Sequence, residues 1–426
     1  MIKILKYGQI DNKEIFARMA DTIDVSGAVA EIINAVREKG DTALLDYCEK
    51  FDGVRLEAIE VPKEEFDEAL TVIGEDFLRI LKDAAANIRE FHQKQVRNGY
   101  KIEGKNGIVL GQRVIPLEKV GLYVPGGTAA YPSTVLMDSI PAKIAGCDQI
   151  FMVTPPGKNG KISPQVLAAA YVAGIDRVFK VGGAQAVAAL AYGTETIPRV
   201  DKIVGPGNAF VAEAKKQVFG QVSIDMIAGP SEILVVADSS AKAANVAADM
   251  LSQAEHDKLA SAVLVTDSME LAQAVSDEIE RQLKLLPREE IARCSIDNNG
   301  KIIVAEDLET VVEIANEIAP EHLELCIDNP FNYLDKIRNA GSVFMGKYCP
   351  EALGDYYAGP NHTLPTSGTA RFSSPLSVDD FIKTSQYIYY TEEALEKIYK
   401  DVQSFAEIEG LSAHGRSMAI RFEEEE

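Results

Sequence analysis

The stretch IFMVTPPGKNGKISPQVLAAAYVAGIDRVFKVGGAQAVAALAYGTETIPRVDKIV, residues 150–204, decides the fold class. Its apolar runs Ile150–Val153, Arg177–Val181 and Lys202–Val204 are short and rich in β-branched residues, and the first two lead through a Pro or Gly turn into an Ala-rich segment. Such alternation reads as βαβ units, because parallel neighbours need a crossover and that crossover is usually a helix.

The pattern extends in both directions. Gly121–Val124 precedes it, and Ile233–Val236, Ala262–Thr266, Lys301–Val304 and Ser342–Met345 follow. So many strands point to two sheets, with crossings near the turns Pro125–Gly127 and Gly229–Pro230. The expected fold is α/β: two Rossmann-like, incomplete, doubly wound domains with helical N-terminal and C-terminal extensions. The expected division is an arm over 1–24, a larger domain made of 25–120 with 233–376, a second domain over 121–232 carrying nucleotide-binding turns, and a helical tail over 377–426, exchanged in a dimer.

Upstream, Val29, Ile32, Ile33 and Val36 fall at i, i+3, i+4 and i+7, predicting an amphipathic helix capped at Ser26 and stopped at Gly40. Phe77, Ile80, Leu81, Ala84, Ile88 and Phe91 predict a second helix from about Gly74 to Asn98. Beyond Asn361 the chain is turn-rich through Pro365–Ser377 and then gives one or two helices up to Phe405. The closing FEEEE reads as a solvated acidic tail.

With 426 residues, 46% hydrophobic and 25% charged, the chain is an ordinary globular protein of two or three domains. Lys and Arg number 43 against 65 Asp and Glu, a formal charge of −22, so a nucleic-acid partner is repelled and excluded. The five cysteines, at 48, 147, 294, 326 and 349, show no CxxC spacing and leave one over, which argues against a disulfide framework and for a reducing, cytoplasmic setting. The start, MIKILKYGQIDNKE, lacks the apolar run of an export signal. The most apolar stretches break well before the ~18–20 residues that span a bilayer, so no membrane partner is expected.

Of the five histidines, at 92, 256, 322, 362 and 414, four sit in short polar segments. His92 follows Phe91 on the long helix and reads as a surface or interface residue without a role. Gln253 and His256, in LSQAEHDK, are i and i+3 on a helix end and can project toward one point as ligands, or simply make that end polar. Asp355 lies in the turn-rich GDYYAGPNH, and His414 in SAHG. Two His, one Asp and one Gln suit zinc, manganese or cobalt better than calcium. A turn-capping Asp355 and a helix-terminal His414 are the equally weighted alternatives.

Glu321 and His322, in APEHLE, fall between a helix stop and a strand. Being adjacent, they are suited to act on different atoms, Glu321 on a water and His322 on the proton of an alcohol; helix capping by the Pro-Glu pair is the competing account. In Val204-Gly-Pro-Gly-Asn208-Ala-Phe210, a turn after a strand opens a helix whose N–H groups can meet an anion, but Phe210 replaces the third glycine of GxGxxG. Gly182-Gly-Ala-Gln185 and Tyr123-Val-Pro-Gly-Gly127 are similar turns.

Taken together, GLYVPGGTAAYPSTVLM, TPP, VGGAQAVAALAYGT, KIVGPGN, AGPSEILV, LSQAEHD, APEHLE, GDYYAGPNHTLPT and EGLSAHG, in order from about residue 120 to 415, resemble the histidinol dehydrogenase family. The resemblance implies oxidation of L-histidinol through an aldehyde to L-histidine, in histidine biosynthesis, with two NAD used in succession and one zinc per active site. It implies zinc ligands at Gln253, His256, Asp355 and His414. Substrate contacts would come from these four and from Ser231, His322 and Glu409, and nucleotide contacts from Tyr123, Gln185 and Asn208. It also implies a homodimer with shared active sites, Glu409 and His414 reaching across.

In that reading zinc is a template for the two substrate nitrogens, His322 is the general base and Glu321 activates water. Two other readings stand beside it. One is a cysteine-dependent aldehyde dehydrogenase with Cys147 or Cys349 as nucleophile, although neither has a cationic neighbour in sequence. The other is a zinc-stabilised binding protein whose polar cluster is structural.

Overall fold

The computed structural model describes residues 1–16, 24–126 and 130–423. In chain order its strands are β1 (Lys3–Lys6), β2 (Tyr100–Glu103), β3 (Val109–Pro116), β4 (Lys119–Tyr123), β5 (Gln149–Thr154), β6 (Arg177–Lys180) and β7 (Lys202–Val204). There follow β8 (Ser223–Ile224), β9 (Glu232–Ala237), β10 (Ser261–Thr266), β11 (Lys301–Val304), β12 (His322–Cys326), β13 (Ser342–Met345) and β14 (Ile382–Tyr389). The chain divides into two units, Met1–Gln95 with Leu117–Phe381, and Val96–Pro116 with Ile382–Glu426.

The first unit is α/β with two parallel sheets, ordered β6-β5-β4-β7-β8 and β1-β11-β10-β9-β12-β13. Chain order runs outward both ways from β4 and, apart from β1 at the edge, from β9, so it reverses between β4 and β7 and between β9 and β12. That order demands helices on both faces, and strands covered on both sides are apolar at nearly every position. Side chains alternate accordingly. Val120, Leu122 and Val124 join the core under the helices Lys63–Ile73, Glu75–Gln93, Pro132–Ala145 and Pro164–Ala173. Tyr123, Phe151 and Phe179 face Ser26–Lys39, Gly183–Tyr192 and Ala209–Val218. In the larger sheet Ile233, Val235 and Ala237 face the helices Ala243–Ala254, Met269–Leu283 and Glu289–Asn299, while Leu234 and Val236 face Leu308–Ile318.

Two placements differ from the sequence reading. The helices between Ser26 and Gln93 cover the five-stranded sheet rather than the six-stranded one, because their apolar stripes complete its two cores. From the expected N-terminal arm, β1 pairs in parallel with β11 at the edge of the larger sheet. Residues 17–23 of that arm, Gly127 of the turn and the last three glutamates of the tail lie outside the described residues.

Helix ends also repay comparison. The first amphipathic helix spans Ser26–Lys39, with Val25 rather than Ser26 in the cap position, and it stops at Gly40, whose φ of 51° is left-handed. The long helix ends at Gln93, short of Asn98. On it His92 is buried, not on the surface: its Nδ1 contacts Gln95 Oε1 at 2.7 Å, and that oxygen also accepts the Val378 N–H at 3.1 Å. Burial lowers the His92 pKa, so the ring is packed as a neutral group.

The second unit contains an antiparallel sheet, β14-β3-β2, with Ile382 opposite Pro116 and Tyr389 opposite Val109. It also holds the helices Tyr399–Ile408 and Ser412–Ala419. The C-terminal stretch is thus helical after an initial strand that the sequence reading does not anticipate. Among the described residues no helix is long and apolar enough to cross a membrane.

Candidate functional site

His322 opens β12, between Ile233 of β9 and Ser342 of β13. Its ring is buried, and Nδ1 lies 3.0 Å from the Glu232 carbonyl oxygen. A carbonyl only accepts, so Nδ1 carries the proton and Nε2 is left as the bare nitrogen. Among the described residues Nε2 has no hydrogen-bond partner, and it faces Asp355 Oδ1 at 3.8 Å. Burial lowers the pKa to about 4, opposed by the Asp355 charge, so the imidazole is neutral near pH 7. It is arranged to accept a proton at Nε2.

Around this ring stand carboxylates. Glu321 Oε2 accepts the Glu232 N–H at 2.8 Å and lies 3.6 Å from His322 Nδ1. Glu351 Oε1 is 3.7 Å from the same nitrogen. Burial raises the pKa of Glu321 and of Glu351 well above the usual range, and the negative neighbours, Asp355 among them, raise it further. Glu351 and Asp355 are i and i+4 on the short helix Glu351–Tyr356, which places both toward β12. Asp355 therefore lies on a helix, not in the tight turn its neighbours suggest.

Gln253 is fully buried near the end of the helix Ala243–Ala254. With its amide nitrogen donating to Glu351 Oε2 at 3.0 Å and Oε1 at 2.5 Å, the amide oxygen is the atom that faces the exposed His256 at 3.5 Å from Nδ1. That turns an oxygen, which can ligate a metal, toward the second candidate ligand. The ligand atoms of His322, Glu351 and Asp355 lie within 4.8 Å of one another. No lysine or arginine among the described residues pairs with Glu321, Glu351 or Asp355, and a crowd of buried carboxylates without a cation is costly. An N/O donor set of this kind fits a divalent ion such as zinc.

Ser231 immediately precedes β9, and its carbonyl accepts the Ser261 N–H at 3.0 Å. Glu409 follows the helix Tyr399–Ile408, and His414 lies within Ser412–Ala419; both belong to the second unit and are exposed.

The three residues expected to line a nucleotide site lie at or just past the carboxyl ends of β4, β6 and β7, and strand order reverses between β4 and β7. That crevice is the usual ligand address in an open α/β sheet. The Tyr123 hydroxyl accepts the Gly183 N–H at 3.1 Å, and Gln185 is buried in the first turn of Gly183–Tyr192. Asn208 caps Ala209–Val218, its Oδ1 accepting from the N–H groups of Phe210 at 3.0 Å and Val211 at 3.2 Å. Gly205 has φ 114°, and a Cβ there would come within 2.1 Å of the Tyr123 carbonyl oxygen, so only glycine fits. His322 and Glu321, by contrast, stand at the amino end of the larger sheet's strands, opposite to that address.

A buried clip joins these regions. Asp138, on Pro132–Ala145, accepts the Thr363 hydroxyl at 2.8 Å, Asn361 donates to the Met137 carbonyl at 2.6 Å, and His362 Nδ1 contacts the Asp355 carbonyl at 3.1 Å. Burial pushes the Asp138 carboxyl up to about 8. Its unfolded value is ~3.9, so the native state holds a proton that the unfolded chain releases, and stability falls as pH rises from about 4 through about 8. Asp138→Asn, neutral throughout, is expected to lose less stability between pH 5 and 8 than the unsubstituted protein. Urea midpoints at the two pH values check this, and equal losses would show the carboxyl to be ionised in the fold.

The family model described as histidinol dehydrogenase matches residues 17–422. The chain belongs to the histidinol dehydrogenase family. As a member of it, the chain is an enzyme and an oxidoreductase. It is 54% identical to the histidinol dehydrogenase of Clostridium acetobutylicum, covering 99% of both chains, and 57% identical to that of Bacillus cereus, covering 94% of this chain and 93% of the relative. The crystal structure of histidinol dehydrogenase from Elizabethkingia anophelis superimposes with a TM-score of 0.94 at 39% identity, over 99% of this chain and 98% of that one.

Sequence reasoning missed two groups at this site. Glu351 shares a helix face with Asp355, and the i, i+4 spacing was the available signal. Glu324 interrupts the apolar run of β12, and a charge inside a buried strand is itself a flag. Cys147, which the sequence offered as a nucleophile, is buried, its Sγ donating to the Phe381 carbonyl at 3.7 Å, and burial pushes its pKa up to about 11, which holds it as a thiol rather than a nucleophilic thiolate.

Proposed function

We propose that this chain oxidises L-histidinol to L-histidine in two successive NAD-linked steps of histidine biosynthesis, in the cytoplasm and as a homodimer. Gln253, His256 and Asp355 would hold one zinc ion, with His414 as the fourth ligand supplied across the dimer. Ser231, His322 and Glu409 would contact substrate beside those ligands, and Tyr123, Gln185 and Asn208 would line the NAD site. When bound, zinc would fix the imidazole and amine nitrogens of the substrate, and NAD would accept hydride.

The chain's own groups do the proton chemistry. His322 Nε2 takes the alcohol proton as hydride leaves, giving the aldehyde. Glu321 takes a proton from water, which adds to the aldehyde carbon. The resulting hydrate anion would give a second hydride to NAD, and its remaining hydroxyl proton would pass to solvent water, leaving the carboxylate. The observation that carries this reading is the bare, buried Nε2 of His322 beside Asp355, with the other ring nitrogen committed to a backbone carbonyl.

The direct test is NADH formed per histidinol consumed, with metal measured on the same sample. A ratio near two is expected for the complete oxidation, and a ratio near one would reject the second step.

A further inference from the structure

Two residues beyond His322 on the same face of β12 sits Glu324, fully buried. Its Oε1 accepts the backbone N–H of Glu351 at 2.7 Å, at the start of the helix that presents Asp355. Its carboxyl group is also hydrogen-bonded to Asp249, on the helix Ala243–Ala254 one turn before Gln253. Burial raises the pKa of both carboxyl groups above the usual carboxylate range, which favours a proton on the pair. The Glu351 side chain returns to that helix through Ser252 Oγ, at 3.5 Å, and through the Gln253 amide. With the helix turn from Asp249 to Gln253, these contacts close a ring through Glu351 and Glu324.

The ring includes Gln253 and touches the helices that carry Gln253 and Asp355. We infer that Glu324, with Asp249, is a positioning pair that sets the spacing between Gln253 and Asp355 and so the affinity of the divalent-cation site. The inference rests on the metal reading above and adds to it the residues that make the site rigid. Groups that hold metal ligands in place typically govern 10–100-fold in affinity.

The test is zinc affinity of the full-length metal-free chain, by competition with a chelator, alongside its thermal midpoint. Glu324→Gln keeps an acceptor for the Glu351 N–H and gains a donor toward Asp249, so its dissociation constant should stay within about 3-fold of the unsubstituted chain. Glu324→Leu should weaken zinc roughly 10–100-fold. Should the Leu variant fail to fold, Asp249→Ala decides instead, with a weakening of about 10-fold expected. Unchanged affinity in the folded Leu or Ala variant overturns the inference, as does equal weakening by Gln and Leu. Gln253→Ala and Asp355→Ala separate the two claims. If both keep full affinity, the metal reading itself falls and takes this inference with it; if they lose it while Glu324→Leu does not, only the positioning role falls.

Discussion

Replacing His322 by asparagine is expected to lower the rate of histidinol oxidation about 10²–10⁴-fold, the usual worth of a positioned proton acceptor. Asparagine fills much of the same space and its amide can still donate to the Glu232 carbonyl, which His322 Nδ1 contacts at 3.0 Å. What it lacks is the basic nitrogen that faces Asp355 Oδ1 at 3.8 Å. Because His322 is not among the four proposed ligands, zinc content after dialysis should stay near that of the unsubstituted enzyme. The loss should fall mainly on kcat, since proton transfer belongs to the transition state rather than to binding. Steady-state NADH formation, with metal analysis on the same preparation, reads both quantities. Turnover unchanged within a factor of two or three would remove His322 as the base.

The second large effect is expected at His256. It stands exposed just beyond the helix that ends at Ala254, and the Gln253 amide lies 3.5 Å from its Nδ1. It offers an imidazole beside the Gln253 amide oxygen, and imidazole is a favoured donor for zinc. His256→Asn should cost more in zinc affinity than the ~10–100-fold attached to outer partners of a ligand, and activity should vanish with the metal. Because the ring is exposed, the fold should survive, so the thermal midpoint of the metal-free variant should match that of the metal-free parent. Full zinc occupancy after dialysis of the variant would count against the ligand role.

The alternation of residues 150–204 carried most of the fold, because a parallel sheet buried on both faces writes itself as short apolar runs separated by helical segments. The observed β9, Glu232–Ala237, brackets the predicted Ile233–Val236. What failed was long-range. Strand β14 reads KTSQYIY after Ile382, mostly exposed and polar, and becomes a strand only by pairing with β3, far away in the chain. His92 read as a surface or interface residue because it follows Phe91 on the long helix; its burial depends on Gln95 and Val378 closing over it. The sequence singles out Gln253, His256, Asp355 and His322 by residue type, and the fold sets Gln253 beside His256 and His322 beside Asp355, whereas the tautomer of His322 was not legible. That depends on which backbone atom lies opposite, and no local pattern encodes it. Glu351 and Glu324 were overlooked for a related reason: their importance lies in contacts between elements, not in spacing within one.

The acceptor that orients the His322 ring belongs to the main chain of Glu232, where β9 runs beside β12 with Ile233 in register with His322. A side-chain orienter, such as the aspartate of a hydrolase triad, can be deleted by one codon change; a carbonyl cannot. Saturation mutagenesis around the site should therefore find no second position whose loss mimics a wrongly protonated imidazole. Only a slip of one strand along its neighbour would do that, and such a slip would dismantle the sheet first.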